Sequence, residues 1–325
     1  MNKVRFGIIG CGAVSVMRHI PALKKSKKAQ LIAAVDTDRE QLARIQKQFG
    51  VKYTFKELEK LEGLVDAVLI ATPNAFHYDM TKAMLEQSVH VLCDKPLALT
   101  FGQAEDLYQI SSKKNKKLTV SYNRRFSSRI QTLHSFMQMI KLPLTITLSL
   151  GGDVTRWPAR SGFRFNKEFA GGGCLIDTGS HIIDLATYFL GAQIKLKSFR
   201  IDFLKKYDIE DNVSLVLQSP SGSIASLACS YTFGLKPYIH IAWDGGWAHT
   251  MLDGESDRVT WFIKDSLMCK SDGIQELLTG SNDEYMEQID HFCDCITKNI
   301  SPLITKDEVL IGSKIIDQVY AEGIA

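Results

Sequence analysis

Directly after the apolar run Val4 to Ile9 comes Gly10-Cys11-Gly12-Ala13-Val14-Ser15, and a strand, a glycine turn and a helix in that order can hold a pyrophosphate. Gly10 permits the tight turn, Gly12 lets the main chain approach a phosphate, and Ser15 stands where a third small residue brings helix and strand together. The N–H groups that open the helix and the positive end of its macrodipole then face the anion. A second apolar run, Leu31 to Val35, ends in Asp36 and Thr37, at roughly the twenty-residue interval where a carboxylate accepts from an adenosine ribose. Many tight turns contain glycines. Strand, helix and Asp36 together make the pattern a dinucleotide site. NAD is preferred over NADP, because Asp36 repels a 2′-phosphate while it accepts from a free 2′-hydroxyl; Arg39, close by, works against that preference.

These residues need a frame. From Met1 to about Tyr122 apolar strands alternate with amphipathic helices, the pattern of a parallel sheet covered on both faces. The strands fall at Val4 to Ile9, Leu31 to Val35, Asp66 to Ala71, Val89 to Cys93 and Leu118 to Ser121. A helix runs near Arg39 to Phe49, and Thr100 with Gln103 forms a capping-box pair that starts another. Ligands of such a sheet bind beyond the carboxyl ends of its strands. Thr72, Pro73, Asn74 and His77 follow one strand end, and Asp94 and Lys95 follow another, beside the Gly10 turn.

Beyond Asn123 the rhythm changes. A helix from about Ser127 to Ile140, a strand Leu144 to Leu150 and a loop with Trp157, Arg160 and Arg164 lead to Gly171-Gly172-Gly173. A helix from Leu175 to Leu190 follows, stopped by Gly191. Strands then succeed one another from Ile194 to Ile263 with turn signals such as Asp244-Gly245-Gly246, which predicts an antiparallel meander. Two helices, about Glu284 to Thr297 and Lys306 to Ala321, complete this half. The expected fold class is α/β: an N-terminal Rossmann doubly wound parallel sheet over residues 1–122, and a C-terminal α/β domain with an open, mostly antiparallel sheet over residues 123–325, terminal helices included.

Composition bounds the rest. At 325 residues the chain exceeds what one hydrophobic core usually supports, which fits two domains. With 45% hydrophobic and 23% charged residues it is not a disordered chain. The clusters Lys24, Lys25, Lys27, Lys28 and Lys113, Lys114, Lys116, Lys117 each lie near the end of a predicted helix, where cations complement the dipole, so no nucleic-acid partner is expected. Seven cysteines, an odd number scattered mostly through apolar segments, match a reducing compartment. Cys293 and Cys295, two apart on a helix, point to different faces, so no metal site is expected there. The amino terminus lacks a signal core, and no run of about eighteen apolar residues occurs, so the expected location is cytoplasmic with no membrane partner.

The helix after the glycine run places Asp177, His181, Asp184 and Tyr188 on one stripe, with Leu175, Ile176, Ile182, Ile183 and Ala186 over much of the rest. Periodicity alone reads that stripe as the wet side of an amphipathic helix. Gly179 points elsewhere: a glycine inside a helix costs about 1 kcal/mol relative to alanine, so close approach of something to the helix is a reason to keep it. Lys95 taken alone reads as a surface lysine, and its place at a strand end beside the glycine turn makes it a site candidate.

Gly7-Ile8-Ile9-Gly10-Cys11-Gly12, Ala71-Thr72-Pro73-Asn74 with His77, Asp94-Lys95-Pro96, Tyr122-Asn123-Arg124-Arg125-Phe126 and the stretch Gly171 to His181 follow one another in the chain. In that order they resemble the motifs of the Gfo/Idh/MocA oxidoreductases, the group of glucose-fructose oxidoreductase and inositol dehydrogenase. With Tyr285 to Ile296 and Tyr320 the resemblance covers nearly the whole chain. It implies a Rossmann domain followed by an α/β domain with an open mixed sheet, a cis bond before Pro96, and a catalytic group of Lys95, Asp177 and His181. Cofactor contacts are implied at Gly10, Cys11, Gly12, Ala13, Val14, Asp36, Thr37, Thr72, Pro73, Asn74, His77, Asp94, Lys95 and Asn123, and substrate contacts at Lys95, Asn123, Trp157, Arg164, Asp177 and His181. The family usually has Glu where this chain has Asp94, and Ala or Gly where it has Ser15; a carboxylate and a small residue are both retained.

The reaction this implies is NAD-dependent oxidation of a secondary hydroxyl of a sugar, sugar derivative or cyclic polyol. Such a step needs a base for the hydroxyl proton while hydride leaves. His181 is the candidate, since an unperturbed histidine titrates near pH 6.5. Asp177, one turn earlier on the same face, holds the substrate or orients the imidazole, and Lys95 anchors and polarises the hydroxyl. A cofactor-sensing regulator of the same fold and a dehydrogenase of a non-sugar ring are the alternatives. The second sheet, with alternating apolar residues such as Val213, Leu215 and Leu217, is expected to expose a face covered by self-association into a homodimer or homotetramer.

Overall fold

A computed structural model describes residues 3–156, 162–204, 208–254, 257–264 and 273–323. The chain divides into two compact units: Met1–Asn123 with Pro158–Gly171 and Tyr285–Ser313, and Arg124–Trp157 with Gly172–Glu284 and Lys314–Ala325.

The first unit is built on parallel strands β1 (Val4–Ile9), β2 (Ala29–Val35), β3 (Tyr53–Phe55), β4 (Ala67–Ile70), β5 (His90–Asp94) and β6 (Leu118–Ser121). Their order is β3-β2-β1-β4-β5-β6, the doubly wound arrangement, so the chain reverses direction between β1 and β4 and leaves a crevice beyond their carboxyl ends. Every residue of the interior strand β4 is buried, as helices on both faces require, and so is every residue of the edge strand β6. The helix Arg39–Phe49 matches its predicted span. Asp38 accepts from the amides of Glu40 and Gln41 to start it, and Gly50, at φ 67°, ends it. Thr100 likewise accepts from Gln103 N at 3.2 Å, but the Gln103 side chain accepts from Leu99 N at 3.2 Å, so the capping box closes one residue early.

Two later segments, Pro158–Gly171 and Tyr285–Ser313, group with the first unit. The helix Glu284–Thr297, expected in the second domain, belongs from Tyr285 onward to the first unit. Ile289, Phe292 and Cys293 on its apolar face join the core of Phe6, Ile8, Ala34 and Leu69. Phe292 stands 6.3 Å from Phe6 between ring centroids, Lys28 pairs with Asp294 at 2.8 Å, and Ser26 donates to Asp290. This is a matter of which apolar face is available. The alternation within the helix shows that it must be buried, and the uncovered side of the β1 layer is where it fits.

The second unit carries β7 (Thr145–Gly151), β8 (Lys195–Asp202), β9 (Asn212–Gln218), β10 (Ile224–Ser230), β11 (Tyr238–Trp243), β12 (Gly246–Met251), β13 (Arg258–Ile263) and β14 (Gln275–Leu278) in one sheet, ordered β14-β13-β12-β11-β7-β10-β9-β8. The sheet is open and mostly antiparallel, but it is not the predicted meander. β7 inserts between β10 and β11 and runs parallel to β10, with Leu148 opposite Leu227, so the sheet is mixed. β14, absent from the sequence reading, pairs antiparallel with β13.

Val213, Leu215 and Leu217 are buried together with Ile146, Leu148, Leu227, Ile239 and Ile241. They therefore line the covered side of the sheet rather than the open one. The alternate positions Thr147, Ser214, Ser226, His240, Trp247 and His249, each exposed or half-buried, form the open face. No helix among the described residues is long and apolar enough to cross a membrane.

Candidate active site

The glycine turn after β1 is formed as its sequence requires. Gly10 has φ +86°, and a Cβ there would stand 2.6 Å from the Ala71 carbonyl oxygen and 2.8 Å from Thr72 Cγ2, so only glycine fits. Gly12 is exposed, with open space where a side chain would begin. The first amides of the helix that starts at Ala13 have no acceptor within it. Ser15 explains its departure from the family: its hydroxyl donates to the Gly10 carbonyl at 2.6 Å and stitches the turn to the helix, which passes through a π-helical stretch at Ser15–His19.

Asp36 is tied to this turn. Oδ2 accepts from Cys11 N at 2.7 Å and Oδ1 from Asp38 N at 2.9 Å, which fixes the carboxylate while leaving lone pairs for a hydroxyl. Gln41, which the sequence did not single out, donates to the Cys11 carbonyl at 2.6 Å. Thr37 is exposed beside it, and Ala13 and Val14 are half-buried. An open Gly12, unshared first-turn amides and an anchored Asp36 fit a dinucleotide.

Beyond β4 and β5 the candidates take more particular roles. His77, expected among the cofactor contacts, is fully buried with both ring nitrogens against backbone: Nδ1 is 2.6 Å from the Pro96 carbonyl oxygen and Nε2 is 2.9 Å from that of Thr72. Burial pushes its pKa down, and a neutral ring donates to one carbonyl at a time. His77 thus joins the Thr72 and Lys95-Pro96 turns, the latter with the cis bond that was expected. Asn74 is also buried and donates to the Ala170 carbonyl at 2.8 Å, so its amide is committed to the protein; Pro73 is half-buried beside it.

At the end of β5, burial pushes the Asp94 carboxyl up, but His19, Lys95 and His77 together bring it below the usual carboxylate range. His19 Nε2 lies 3.9 Å from Asp94 Oδ1, on a side chain that is buried against the edge of Tyr285. Lys95 is half-buried and Asn123 buried. Arg164 lies in the short turn Phe163–Phe165, 5.8 Å over the Phe163 ring. Trp157 falls outside the described residues.

In the second unit the residues after Gly171 have a steric reason to be glycine. A side chain on Gly172 would collide with the Tyr320 hydroxyl, and one on Gly173 with the Glu210 carbonyl oxygen. The helix then opens with a π-helical stretch, Leu175–Gly179, and continues as Ser180–Leu190. Asp177 Oδ2 accepts from the Tyr231 hydroxyl at 2.8 Å, and His181, half-buried, follows four positions later. The close approach read from Gly179 is real: a Cβ there would stand 3.1 Å from Cys229 Sγ of β10.

The stripe is not one wet face. Asp184 is buried and pairs with Arg125 through Nε to Oδ2 at 3.0 Å and the terminal nitrogen to Oδ1 at 2.8 Å. Tyr188 lies under that guanidinium at 4.6 Å and stacks on His134 at 3.8 Å. Only the Asp177–His181 end is left for chemistry. Glu210, Tyr231 and Tyr320 complete this end, and of these only Tyr320 had drawn notice in the sequence.

A doubly wound unit with this glycine turn and an anchored aspartate beside it, in one chain with an α/β unit that presents an acid and a histidine one turn apart, defines a two-domain NAD(P)-dependent oxidoreductase. Sequence comparison gives the particular group. Residues 4–122 match the oxidoreductase family with an NAD-binding Rossmann fold, and residues 144–262 match the GFO/IDH/MocA C-terminal domain. The chain belongs to the Gfo/Idh/MocA oxidoreductase family.

It is 27% identical over 262 residues, 72% of each chain, to D-glucoside 3-dehydrogenase of Escherichia coli strain K12. It is 22% identical over 325 residues, covering 97% of this chain and 96% of the relative, to D-xylose 1-dehydrogenase (NADP(+)) 2 of Haloferax volcanii. Among solved structures, levoglucosan dehydrogenase in complex with NADH and levoglucosan superposes with a TM-score of 0.90 at 18% identity, covering 99% of this chain and 98% of that one, a likeness of fold.

Proposed function

We propose that this oxidoreductase acts on a secondary hydroxyl of a sugar, sugar derivative or cyclic polyol, or on the matching ketone in reverse. The observation that carries the reading is the helix start in which Asp177, held by Tyr231, precedes His181 by one turn. Dehydrogenases of glucosides and xylose among the relatives support the substrate class. When bound, the nicotinamide accepts or returns the hydride. His181 takes the hydroxyl proton, Asp177 hydrogen-bonds the substrate, and Lys95 polarises the reacting oxygen. Asn123, Arg164 and Trp157 are proposed to contact the substrate.

NAD is proposed as the preferred cofactor, because the charge of Asp36 beside the glycine turn opposes a 2′-phosphate. A cytoplasmic location is supported by Cys11, Cys93, Cys174, Cys229, Cys293 and Cys295, all free thiols. Assembly into a homodimer or homotetramer is proposed through the open sheet face, where Trp247 stacks between His240 at 5.8 Å and His249 at 5.5 Å. Light scattering at micromolar concentration tests this, with a monomer counting against it.

The function is tested by incubating the purified protein with NAD or NADP and a panel of glucosides, free aldoses, aldose phosphates and inositols, followed by nicotinamide absorbance. Turnover of a member of the panel is expected. Activity confined to non-sugar rings, or none alongside tight cofactor binding, overturns the reading.

A further inference from the structure

Glu210 and Tyr320 reach the start of the Asp177–His181 helix from distant parts of the chain. The Glu210 carbonyl accepts from Cys174 N at 3.0 Å, its Oε2 from Gly173 N at 2.8 Å and its Oε1 from Leu175 N at 3.0 Å. Amides that open a helix have no acceptor inside it, so one residue satisfies all three of these in succession. Tyr320 adds its hydroxyl to Oε1 at 2.8 Å. Three donors therefore face the two carboxylate oxygens. Burial pushes the Glu210 carboxyl up, and these donors oppose that by stabilising the ionised form. Gly172 and Gly173 are the two positions whose side chains would block the approach.

The next residue extends the frame. The Asp211 carbonyl accepts from Tyr231 N at 2.8 Å, and the Tyr231 hydroxyl holds Asp177. One dipeptide, Glu210-Asp211, thus fixes the first amides of the helix and, through Tyr231, the acid on its first turn. A cap that served stability alone would need neither the second route nor Tyr320.

We infer that Glu210, locked by Tyr320, is a positioning residue for the reaction: it sets where Asp177 and His181 stand without touching substrate or cofactor. The inference rests on the proposed reading of Asp177 and His181 as the groups that handle substrate. Displacement of a reacting group by about 1 Å can cost on the order of a hundredfold in rate, so a remote acceptor can govern turnover.

The test uses the full chain carrying Glu210→Gln, which keeps the volume but turns an amide NH2 toward the incoming donors, and Tyr320→Phe, which leaves the helix amides on Glu210. Turnover of the best member of the sugar and polyol panel, measured well below the melting temperature, is expected to fall about tenfold or more in Glu210→Gln and by a smaller factor in Tyr320→Phe. The dissociation constant for NADH, read by fluorescence, should stay within about twofold. Wild-type turnover in both variants with only a lowered melting temperature overturns the inference. Should Glu210→Gln not fold, Tyr320→Phe decides in the same way.

If the wild-type chain turns over nothing in the panel, it is the functional reading that fails. Hydrogen exchange then tests the positioning by itself. Faster exchange confined to residues 173–181 in either variant supports it, and unchanged protection there overturns it.

Discussion

The hydroxyl of Tyr231 donates to Asp177 Oδ2 across 2.8 Å, from a tyrosine that is itself 5% exposed and whose amide is bonded to Asp211. The bond fills one acceptor position on the carboxylate and fixes its plane. A hydrogen bond to a charged group contributes about 1.5–3 kcal/mol. Tyr231→Phe is therefore expected to lower kcat/KM for the sugar about tenfold, mostly through KM, with cofactor affinity unchanged. Steady-state kinetics with the best panel substrate checks this, and unaltered KM would count against it.

Arg125 and Asp184 anchor the middle of the same helix with side chains that are 0% and 4% exposed. Removing one partner leaves a buried charge, which costs about 3–5 kcal/mol, whereas an apolar pair of similar volume avoids that loss. Arg125→Met should accordingly lower the urea midpoint sharply, and adding Asp184→Leu should restore most of the loss. If the double variant is no more stable than the single one, the cost lies in packing rather than charge.

What could be read from the sequence follows the range of the interaction. The glycine turn, Asp36 and the helix Arg39–Phe49 were legible because strand, turn and cap lie within one supersecondary unit. Glu210 was not: it meets Gly173 and Leu175 across 37 and 35 positions and Tyr320 across 110, and nothing local to Glu210-Asp211 marks it. The alternation of Val213, Leu215 and Leu217 shows that the strand has two faces but does not say which one the helices cover. The insertion of β7 beside β10 is likewise a long-range choice of register, invisible to turn signals that describe neighbouring strands. Asp184 read as wet because its partner Arg125 stands 59 positions earlier.

The proposed preference for NAD rests on one carboxylate. Asp36→Ser removes the charge that opposes a 2′-phosphate and also the oxygen that receives Cys11 N, so two effects separate. Affinity for NAD should fall, and the ratio of kcat/KM for NADP over NAD should rise about tenfold or more, since like-charge juxtaposition costs several kcal/mol. Parallel kinetics with both cofactors provides the check, and tighter NADP binding by the unaltered protein would reverse the assignment.

Stability should decline on mild acidification partly because of His90. Its Nδ1 accepts from Lys117 N at 2.8 Å, which requires the neutral ring. Burial, then the nearby Lys116 and Lys117, push its pKa down to about 4, against about 6.5 in an unfolded chain. Between those values the unfolded state binds the extra proton, so this contribution is complete above about pH 6.5 and is lost as pH falls toward 4. His90→Asn keeps an acceptor for the amide without the titration. Its melting temperature should fall less than that of the wild type over this window, and parallel curves would exclude His90 as the cause.

The last prediction concerns the proton. Oxidation of an alcohol leaves a proton that a positioned base must accept, and such catalysis contributes about 10²–10⁴-fold. His181 follows Asp177 on a helix whose start is held by Glu210 and whose middle is held by Arg125 through Asp184, so its backbone is fixed on both sides of His181. Lys95 follows β5, where His77 bonds the Pro96 carbonyl and Asp94 supplies a neighbouring negative charge. His181→Ala and Lys95→Ala are each expected to cut turnover by about a hundredfold or more while NADH binding stays nearly intact, and Asp177→Ala should act mainly on KM. The two large effects differ in kind. Loss of the base removes the histidine limb from the pH profile and is partly rescued by added imidazole, whereas loss of the polarising cation leaves that limb in place. If His181→Ala keeps the wild-type rate and pH dependence, the base is Lys95, and Lys95→Ala alone should then abolish the limb.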